Sequence, residues 1–572
     1  MMHKFRIYFL LSGFLLLGIV IISKLFIIQI IDSDRYLAEA EGQYVQRNYH
    51  LYDRGDIYFK NKDSELVSAA TIQSGYFVST NSSYIDTPEI TYSKLSNLIE
   101  LDREKFMSLL ERGVANKKIA SGLDKDTANE IKSLNLSGVS LYPERWRFYP
   151  GGSTASHLLG FVNFQGDDYG GRYGLEKVYE DILARPENSY KVNFFAKLFG
   201  NVAMGFSDSN KSKDEGNIVT TVEPMVQSFL EYELERAKEK WKARSVGGIV
   251  MNPKTGEIKA MALLSDFDPN TFSSATSNDV FTNSLVESVY EMGSVMKPIT
   301  VAAGLDSGLI EPESTYYDAG TVKLDGYTIS NYDGRGNGTV NMQDVLNHSI
   351  NTGAVHVVQE MGSDLFAEYM RSFGFDSKTG IDLPYESENL LDNLESPRMV
   401  EYATASFGQG IAITPIGMIR ALAVLANGGF LVEPYIVERI DFENGESVEI
   451  GKNKDKDKMK RVISEDTSKE ISRMLVNTVD EALMNGTVSL PRHSVAAKTG
   501  TAQIAFSGER GYREDAYLHS FFGYFPAYDP EFIIFIYHVE PKGAKYASQT
   551  LTDSFMEIVK FLIQYYGINP DR

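Results

Sequence analysis

The stretch YEMGSVMKPIT, Tyr290–Thr300, places Ser294 three residues before Lys297. Gly293 precedes the serine and Pro298 follows the lysine, which fits a helix that begins near Ser294, because proline is tolerated in a first turn. Side chains three positions apart share one face of a helix, so the hydroxyl and the amine can meet. A serine needs an adjacent base to become a nucleophile, and a desolvated lysine can lose its proton near neutral pH. The stretch therefore predicts a nucleophile, Ser294, and its base, Lys297.

A second short motif lies downstream, in LNHSINTGAV, Leu346–Val355. Ser349 and Asn351 are separated by one residue, so on a short loop their side chains can point the same way. A hydroxyl can relay a proton, and a side-chain amide can hold an amide of a substrate. His348 stands beside them, but the sequence offers no obvious partner to orient it as a base.

A third motif is KTGT within VAAKTGTAQ, Val495–Gln503, where the apolar residues before Lys498 predict a strand. Lys498 and the hydroxyls of Thr499 and Thr501 are suited to binding a carboxylate. Gly500 between them predicts a place where a substrate backbone can approach closely. The tripeptide KTG is unspecific by itself, since it occurs twice more in this chain, in segments that read as turns.

Chain length and composition indicate the number of domains and exclude several kinds of site and partner. The 572 residues suffice for about three domains. The formal net charge of −21 argues against nucleic acid as a partner, because phosphates attract lysine and arginine. The chain has no cysteine, which excludes disulfides, thiolate-bound metals and a cysteine nucleophile.

The N-terminal segment predicts a membrane anchor. Residues 7–31 are predominantly apolar, and their one charged residue, Lys24, can snorkel toward the interface; a bilayer requires about 20 apolar residues. Lys4 and Arg6 precede the span, which places the N-terminus in the cytoplasm and later residues outside. A cleaved signal peptide is the alternative, but no small-x-small cleavage site follows the apolar run.

The rest of the chain predicts a β-rich membrane-proximal region followed by a larger mixed α/β region. Residues 61–214 alternate short β-type runs with polar helical stretches, and the polar segment Ser207–Asn217 marks a boundary. The later region is predicted to contain a long helix, a strand pair, two strong strands and a final helix. These elements are Glu223–Arg244, the strands around Asn252–Gly256, His519–Tyr528, Glu531–Val539 and a helix from about Leu551.

The three motifs together, in this order, resemble the active-site signature of penicillin-binding proteins and class A β-lactamases. Other segments resemble the transpeptidase domain and the pedestal of class B penicillin-binding proteins. They are NPKTGEIKAMA (Asn252–Ala262), FGQGIAITPIGMIRALAVLANGG (Phe407–Gly429), RGDI (Arg54–Ile57), RFYPGGSTASHLLGFV (Arg147–Val162) and GLEKVYEDIL (Gly174–Leu183). The chain departs from the family at Tyr58–Lys62, where a D-R-N-G-like turn is usual, and at Met292, where proline is common.

The resemblance implies an α/β multidomain chain whose transpeptidase domain has an antiparallel sheet flanked by helices. It implies a cytoplasmic tail over residues 1–6, a single transmembrane helix over 7–31, a β-rich, dimerisation-like pedestal over 32–214 and the transpeptidase domain over 215–572. The protein would sit in the cytoplasmic membrane as a single-pass protein, with its N-terminus inside and its catalytic domain outside.

The resemblance also implies a serine-type D,D-transpeptidase reaction without a metal or an organic cofactor. Lys297 takes the proton of Ser294, which attacks the penultimate D-Ala carbonyl of a peptidoglycan stem peptide. The backbone N–H groups of Ser294 and Thr501 stabilise the oxyanion. Ser349 passes a proton to the leaving D-Ala, and Lys498 tunes its surroundings. The amine of a second stem peptide then resolves the acyl-enzyme, and a β-lactam would acylate the same serine.

In this scheme Asn351 holds the donor peptide, and Thr499 and Thr501 bind its terminal carboxylate beside Gly500. The expected partners are stem peptides, β-lactams, the membrane, a lipid II polymerase of the shape and division family and other divisome proteins. Septal synthesis is favoured over elongation. A serine β-lactamase and a non-catalytic β-lactam sensor are the alternatives, against which the anchor, the pedestal and the intact motifs argue.

Overall fold

The computed structural model describes residues 53–111, 117–165, 168–185, 215–264, 267–275, 277–451, 459–506 and 511–572, together with Gly18. Apart from Gly18, the predicted anchor at residues 7–31 lies outside these residues and stays a prediction. Among the helices of the described ranges, none is long and apolar enough to cross a membrane.

The described residues form strands and α-helices in the following chain order. The strands are β1 (Ile57–Lys60), β2 (Leu66–Thr80), β3 (Lys117–Leu123), β4 (Val139–Phe148), β5 (Val162–Gln165), β6 (Asp168–Gly171), β7 (Gly216–Thr220), β8 (Ser245–Met251), β9 (Ile258–Leu263), β10 (Thr315–Asp318), β11 (Thr321–Leu324), β12 (Tyr327–Ser330), β13 (Gly338–Asn341), β14 (Val437–Phe442), β15 (Ser447–Glu449), β16 (Ala496–Ala505), β17 (Tyr512–Phe525) and β18 (Phe532–Val539). The α-helices are α1 (Pro88–Ser96), α2 (Arg103–Glu111), α3 (Lys125–Ser133), α4 (Ser156–Leu159), α5 (Gly174–Val178), α6 (Glu180–Leu183), α7 (Pro224–Trp241), α8 (Ser284–Glu287), α9 (Lys297–Asp306), α10 (Met342–Asn347), α11 (Asn351–Met361), α12 (Ser363–Ser372), α13 (Met399–Ala405), α14 (Pro415–Ala426), α15 (Glu465–Asn477), α16 (Ala547–Thr550) and α17 (Thr552–Tyr566).

The chain divides into two compact units. The small unit contains Ile72–Arg147, and the large unit contains Gly55–Thr71, Phe148–Leu183 and everything from Lys213 onward. Segments on either side of the small unit's main stretch therefore pack with the C-terminal part of the chain. The predicted domain boundary lies between residues 214 and 215. Residue 214 is outside the described ranges, so this boundary stays a prediction.

The small unit combines β3, β4 and the later part of β2 with α1, α2 and α3. Helix α3 begins where the Asp124 side chain accepts a hydrogen bond from the backbone N–H of Thr127 (2.7 Å), a common N-cap arrangement. The apolar side chains of its strands and helices meet in one core. This core includes Val78, Leu95, Ile99, Phe106 and Ile131. The region predicted to be β-rich thus carries helices and strands in similar measure.

An antiparallel five-stranded sheet forms the centre of the large unit, in the order β16–β17–β18–β8–β9. The central strand β18 reads FIIFIYHV, and every one of its residues is buried. A strand that is covered on both faces is expected to be continuously apolar instead of alternating. The strands predicted from His519–Tyr528 and Glu531–Val539 are confirmed as the end of β17 and as β18.

Helices cover both faces of this sheet. On one face α7 and α17 pack side chains such as Leu230 and Phe555 against Phe521 and Ile536. On the other face lies a helical region whose α14 is buried along its whole length. The strand pair β8–β9, the helix α7 and the final helix α17 confirm the elements predicted from the sequence. A second sheet of this unit joins β15, β14, β7, β1 and the start of β2.

The edge strand β16 touches the turn before α9 backbone to backbone. A Cβ atom on Gly500 would lie 2.7 Å from the carbonyl oxygen of Met292 and 3.0 Å from the nitrogen of Val295. On the other side of the turn, a Cβ on Gly408 would collide with the backbone of Gly293, whose N–H donates to the Gly408 carbonyl (3.1 Å). The structure shows that Gly500 makes room for the turn, and its role in the approach of a substrate backbone stays a prediction.

This contact predicts that Gly500→Ala destabilises the large unit although it adds a single methyl group. The nearest atom is Ser520 Oγ, and the next two belong to the backbone of Met292 and Val295, which cannot rotate away. We therefore expect a loss of about 1–3 kcal/mol in the free energy of unfolding. Thermal unfolding of the variant measures the loss. Thr499→Ala, on the same strand, adds no atom and serves as the control. Equal melting temperatures for the Gly500 variant and the wild type would contradict the prediction.

Candidate active site

Ser294 lies in a short 3₁₀ turn, Gly293–Met296, that leads directly into α9. Its N–H is among the first donors of the turn and therefore has no partner within the helix. Ser294 is partly exposed and lines a cavity of about 570 Å³, whereas Lys297, at the start of α9, is fully buried. The predicted helix start is confirmed, with Pro298 in the first turn of α9.

Two lysines converge on the hydroxyl of Ser349. Lys297 Nζ donates to Ser349 Oγ (3.1 Å) and to the Ser349 carbonyl oxygen. Lys498 Nζ, from strand β16, donates to the same Oγ (3.1 Å) and to the carbonyl oxygen of Thr499 (3.1 Å). Ser349 occupies the left-handed region at φ 54°, a conformation that is uncommon for residues other than glycine. The three side chains from separate segments thus form one connected group.

Both lysines are buried, and neither forms an ion pair with any residue in the described ranges. Burial, together with the neighbouring charge of Lys498, holds the pKa of Lys297 well below its ordinary value of 10.5. Burial alone lowers the pKa of Lys498 to about 8. Lys297 is therefore the better candidate for a neutral amine that can accept a proton.

The direct contact that the sequence suggested between Ser294 and Lys297 is not formed. Ser294 Oγ has no hydrogen-bond partner among the described residues, and Lys297 points to Ser349 instead. In enzymes without substrate such contacts are often long and tighten only when the substrate binds. The Ser294 hydroxyl is therefore free on the cavity side, while the Lys297 amine is held by Ser349.

Asn351 is the first residue of α11 and lines the same cavity. Its Nδ2 donates to the carbonyl oxygen of Ser330 (3.0 Å), at the end of β12. The side chain is therefore fixed to the neighbouring strand, and its amide oxygen remains available as an acceptor for a substrate N–H.

A buried carboxylate that the sequence did not reveal stabilises this part of the cavity. Asp318, which is 1% exposed, accepts hydrogen bonds from Thr352 Oγ1 (2.7 Å), Asn331 Nδ2 (2.9 Å) and Asn337 Nδ2 (2.6 Å). Burial raises its pKa, but the hydrogen bonds outweigh this effect, so the pKa lies below its ordinary value. The partners come from two segments, the loop 331–337 and the start of α11, and no local pattern in the sequence indicates that they meet Asp318.

The threonines of the third motif, on strand β16, line the same cavity. Thr499 and Thr501 both line it, as does Tyr546 from the segment before α16. Thr501 Oγ1 accepts a hydrogen bond from the backbone N–H of Ala547 (3.0 Å). No described residue accepts the hydrogen of the Thr501 hydroxyl, which leaves it available to an acceptor in the cavity.

The structure therefore brings the three motifs together around one cavity. Ser294, Ser349, Asn351, Lys498, Thr499 and Thr501 line it. Lys297 lies beneath it and reaches it through Ser349, whereas Gly500 faces the turn before α9. The cavity thus offers a free hydroxyl, a buried amine, a hydroxyl between two amines and several groups that can donate hydrogen bonds to a carboxylate. Acyl transfer through a serine requires these parts.

The sequence matches two protein families. Residues 246–560 match the penicillin binding protein transpeptidase domain, and residues 52–220 match the penicillin-binding protein dimerisation domain. Stage V sporulation protein D of Bacillus subtilis is 32% identical over 99% of this chain and 86% of its own length. The probable peptidoglycan D,D-transpeptidase FtsI of Caulobacter vibrioides is 30% identical over 74% of this chain and 66% of its own length.

Solved structures agree with these matches. Penicillin binding protein 3 of Mycobacterium tuberculosis, in its apo form, is 26% identical, with a TM-score of 0.65 over 75% of this chain and 92% of that chain. Penicillin binding protein 2X of Streptococcus thermophilus, at 21% identity, shares the fold with a TM-score of 0.70 over 90% of this chain and 80% of that chain. With a dimerisation domain followed by a transpeptidase domain, the chain belongs to the class B penicillin-binding proteins.

Proposed function

We propose that this protein is a peptidoglycan D,D-transpeptidase that cross-links stem peptides through an acyl-enzyme on Ser294. The observation that carries this proposal is the shared contact of two buried lysine amines with Ser349 Oγ, in the cavity that Ser294 lines. Burial without a counter-ion lowers the pKa of a lysine amine, most strongly that of Lys297, so this amine can act as a base. Ser294, whose hydroxyl has no hydrogen-bond partner among the described residues, lines the same cavity.

The reaction begins when Lys297 takes the proton of Ser294 as its Oγ attacks the carbonyl carbon of the penultimate D-Ala. The C–O bond forms, and the negative charge on the carbonyl oxygen meets the N–H groups of Ser294 and Thr501. Ser349, between the two amines, relays a proton to the nitrogen of the leaving D-Ala as the peptide bond breaks. The amine of a second stem peptide then attacks the ester, which restores the serine.

The donor peptide is bound on both sides of the serine. Asn351, held against β12, offers its amide oxygen to the peptide backbone. Thr499 and Thr501 offer hydroxyl hydrogens to the terminal carboxylate, with the positive charge of Lys498 nearby. A β-lactam presents a carbonyl and a carboxylate in similar positions. Penicillin binding protein 3 of Mycobacterium tuberculosis, which shares the fold, is known in complex with ampicillin and with aztreonam.

Substitution of the proposed nucleophile tests the assignment. Ser294→Ala should abolish covalent labelling by a fluorescent penicillin, because the proposed ester forms on this hydroxyl, and Lys297→Met should do the same because the base is lost. Labelling is read on a denaturing gel, with circular dichroism as the check of folding and Ser307→Ala, at the end of α9, as the control. A Ser294→Ala variant that still becomes labelled would remove this serine from its role. Rapid release of hydrolysed penicillin by the wild type would indicate a β-lactamase instead.

The two lysines predict how the acylation rate depends on pH. Below its pKa Lys297 is protonated and cannot take a proton, so acylation falls as the pH drops through that value. The charge of Lys498 helps to lower the pKa of Lys297. Lys498→Met removes this charge, so the pKa of Lys297 should rise and the acid limb should move to higher pH. Acylation rates across a pH series measure the shift, with Lys542→Met, an exposed lysine, as the control. An acid limb that stays in place would contradict the electrostatic link.

We further propose that residues 7–31 anchor the protein in the cytoplasmic membrane as a single span, with the N-terminus inside and the catalytic domain outside. The apolar run after Lys4 and Arg6 supports this topology. By analogy with the relative named FtsI, we propose a role in septal synthesis instead of elongation, with a lipid II polymerase of the shape and division family and other divisome proteins as partners.

The location of the protein in the cell distinguishes these roles. A fluorescent fusion at the C-terminus should form a band at midcell in dividing cells. An even signal along the side wall would favour the elongation role, and a cytoplasmic signal would contradict the anchor. Cells that express residues 32–572 alone provide the control for membrane attachment.

A further inference from the structure

A histidine outside the three active-site motifs lies on the strand next to β16, which carries Thr499 and Thr501. His519 of β17 is paired with Thr501 of β16 and is fully buried. Its Nε2 lies 3.0 Å from the carbonyl oxygen of Lys545, and its Nδ1 lies 2.8 Å from Thr550 Oγ1. One imidazole therefore contacts both ends of residues 545–550, named here the wall segment.

The chemistry of these contacts fixes the tautomer of the ring. A carbonyl oxygen can only accept, so Nε2 carries the hydrogen and donates it to Lys545. Nδ1 is then an acceptor. The Thr550 hydroxyl donates its one hydrogen to Nδ1 at 2.8 Å in preference to the carbonyl oxygen of Ala547, which lies farther away at 3.3 Å. Burial lowers the pKa of His519 to about 4, so the ring is neutral at physiological pH and both contacts persist.

The wall segment is the part of the chain that closes the carboxylate side of the cavity. Lys545, Tyr546, Ala547 and Ser548 all line the cavity. Between the two contacts with His519, the N–H of Ala547 donates to Thr501 Oγ1 (3.0 Å). This bond occupies a lone pair of the hydroxyl and thereby directs its hydrogen away from the wall segment.

We propose that His519 is a positioning residue for carboxylate recognition: by holding both ends of the wall segment, it keeps the Ala547 N–H on Thr501 Oγ1 and so directs the Thr501 hydroxyl hydrogen at the substrate. The inference rests on the proposed function, because it assigns the carboxylate of the stem peptide or β-lactam as the group that Thr501 meets. His519 itself touches neither the substrate nor the reacting atoms.

The neighbouring strand offers a matched control. His538 of β18 is paired with His519 across the sheet and is equally buried. Neither of its ring nitrogens has a hydrogen-bond partner among the described residues. Replacement of His538 by phenylalanine therefore removes a buried imidazole without removing a contact to the wall segment.

The experiment compares a fluorescent penicillin with its methyl ester, which lacks the charged carboxylate, on the full chain. His519→Phe should lower the second-order acylation rate of the acid about tenfold, the usual weight of a hydrogen bond to a charged group, and that of the ester less than about twofold. His519→Gln, which keeps a donor for Lys545, should give a smaller loss. His538→Phe should leave the ratio of the two rates unchanged.

A double substitution tests the route through Thr501. In a Thr501→Val background, which has no hydroxyl to orient, His519→Phe should no longer change the ratio of acid to ester rates. Equal losses for acid and ester, or an effect that persists without the Thr501 hydroxyl, would overturn the inference and leave His519 a structural residue.

Amide hydrogen exchange provides a readout that needs no acylation. His519→Phe should increase exchange in peptides that cover the wall segment, and His538→Phe should not. Unchanged exchange in the His519 variant would overturn the inference even if the wild type were never labelled. Absence of labelling in the wild type, with the expected change in exchange, would instead refute the proposed function while retaining the contact.

Discussion

Two lysine amines lie buried against one serine hydroxyl, and no carboxylate of the described residues neutralises them. Transfer of an ammonium group from water into a protein interior costs several kcal/mol unless the group is paired or loses its proton. The arrangement is held by rigid elements: Lys297 begins a buried helix and Lys498 lies in a sheet. The packing of the large unit around them buries both side chains, which lowers the pKa of each amine.

The position of the nucleophile follows from close backbone contact. Gly293, Gly408 and Gly500 come from three segments that are distant in sequence, and each lacks the side chain that would separate them. Ser520 Oγ adds a hydrogen bond to the carbonyl oxygen of Met292 (2.8 Å). The turn is thus fixed from the strand side and from the side of Gly408, which defines where the Ser294 hydroxyl meets the cavity.

Those features of the fold and the site that short local sequence patterns indicate could be predicted from the sequence. The motifs around Ser294, Ser349 and Lys498 were found from residue type, order and spacing, and strong apolar runs predicted β17 and β18. It could not show which atoms meet across the fold. The amine of Lys297 contacts Ser349, whereas helical spacing suggested Ser294, because the left-handed turn at Ser349 brings its hydroxyl into reach. Asp318 and His519 could not be predicted as site residues for the same reason. Their hydrogen-bond partners belong to other segments of the chain, so no local sequence pattern indicates the contacts.

The order of strands in the central sheet has a consequence for how the protein is made. Strand β18, which ends at Val539, separates β17 from the much earlier strand β8. The ribosome releases the chain from its N-terminus. The strand β8 is therefore synthesised nearly three hundred residues before β18, the strand with which it pairs. Contacts of such long sequence separation form slowly. During translation the five-stranded sheet therefore cannot be completed until almost the whole polypeptide has emerged, and a truncated product that ends before β18 cannot assemble the reactive centre.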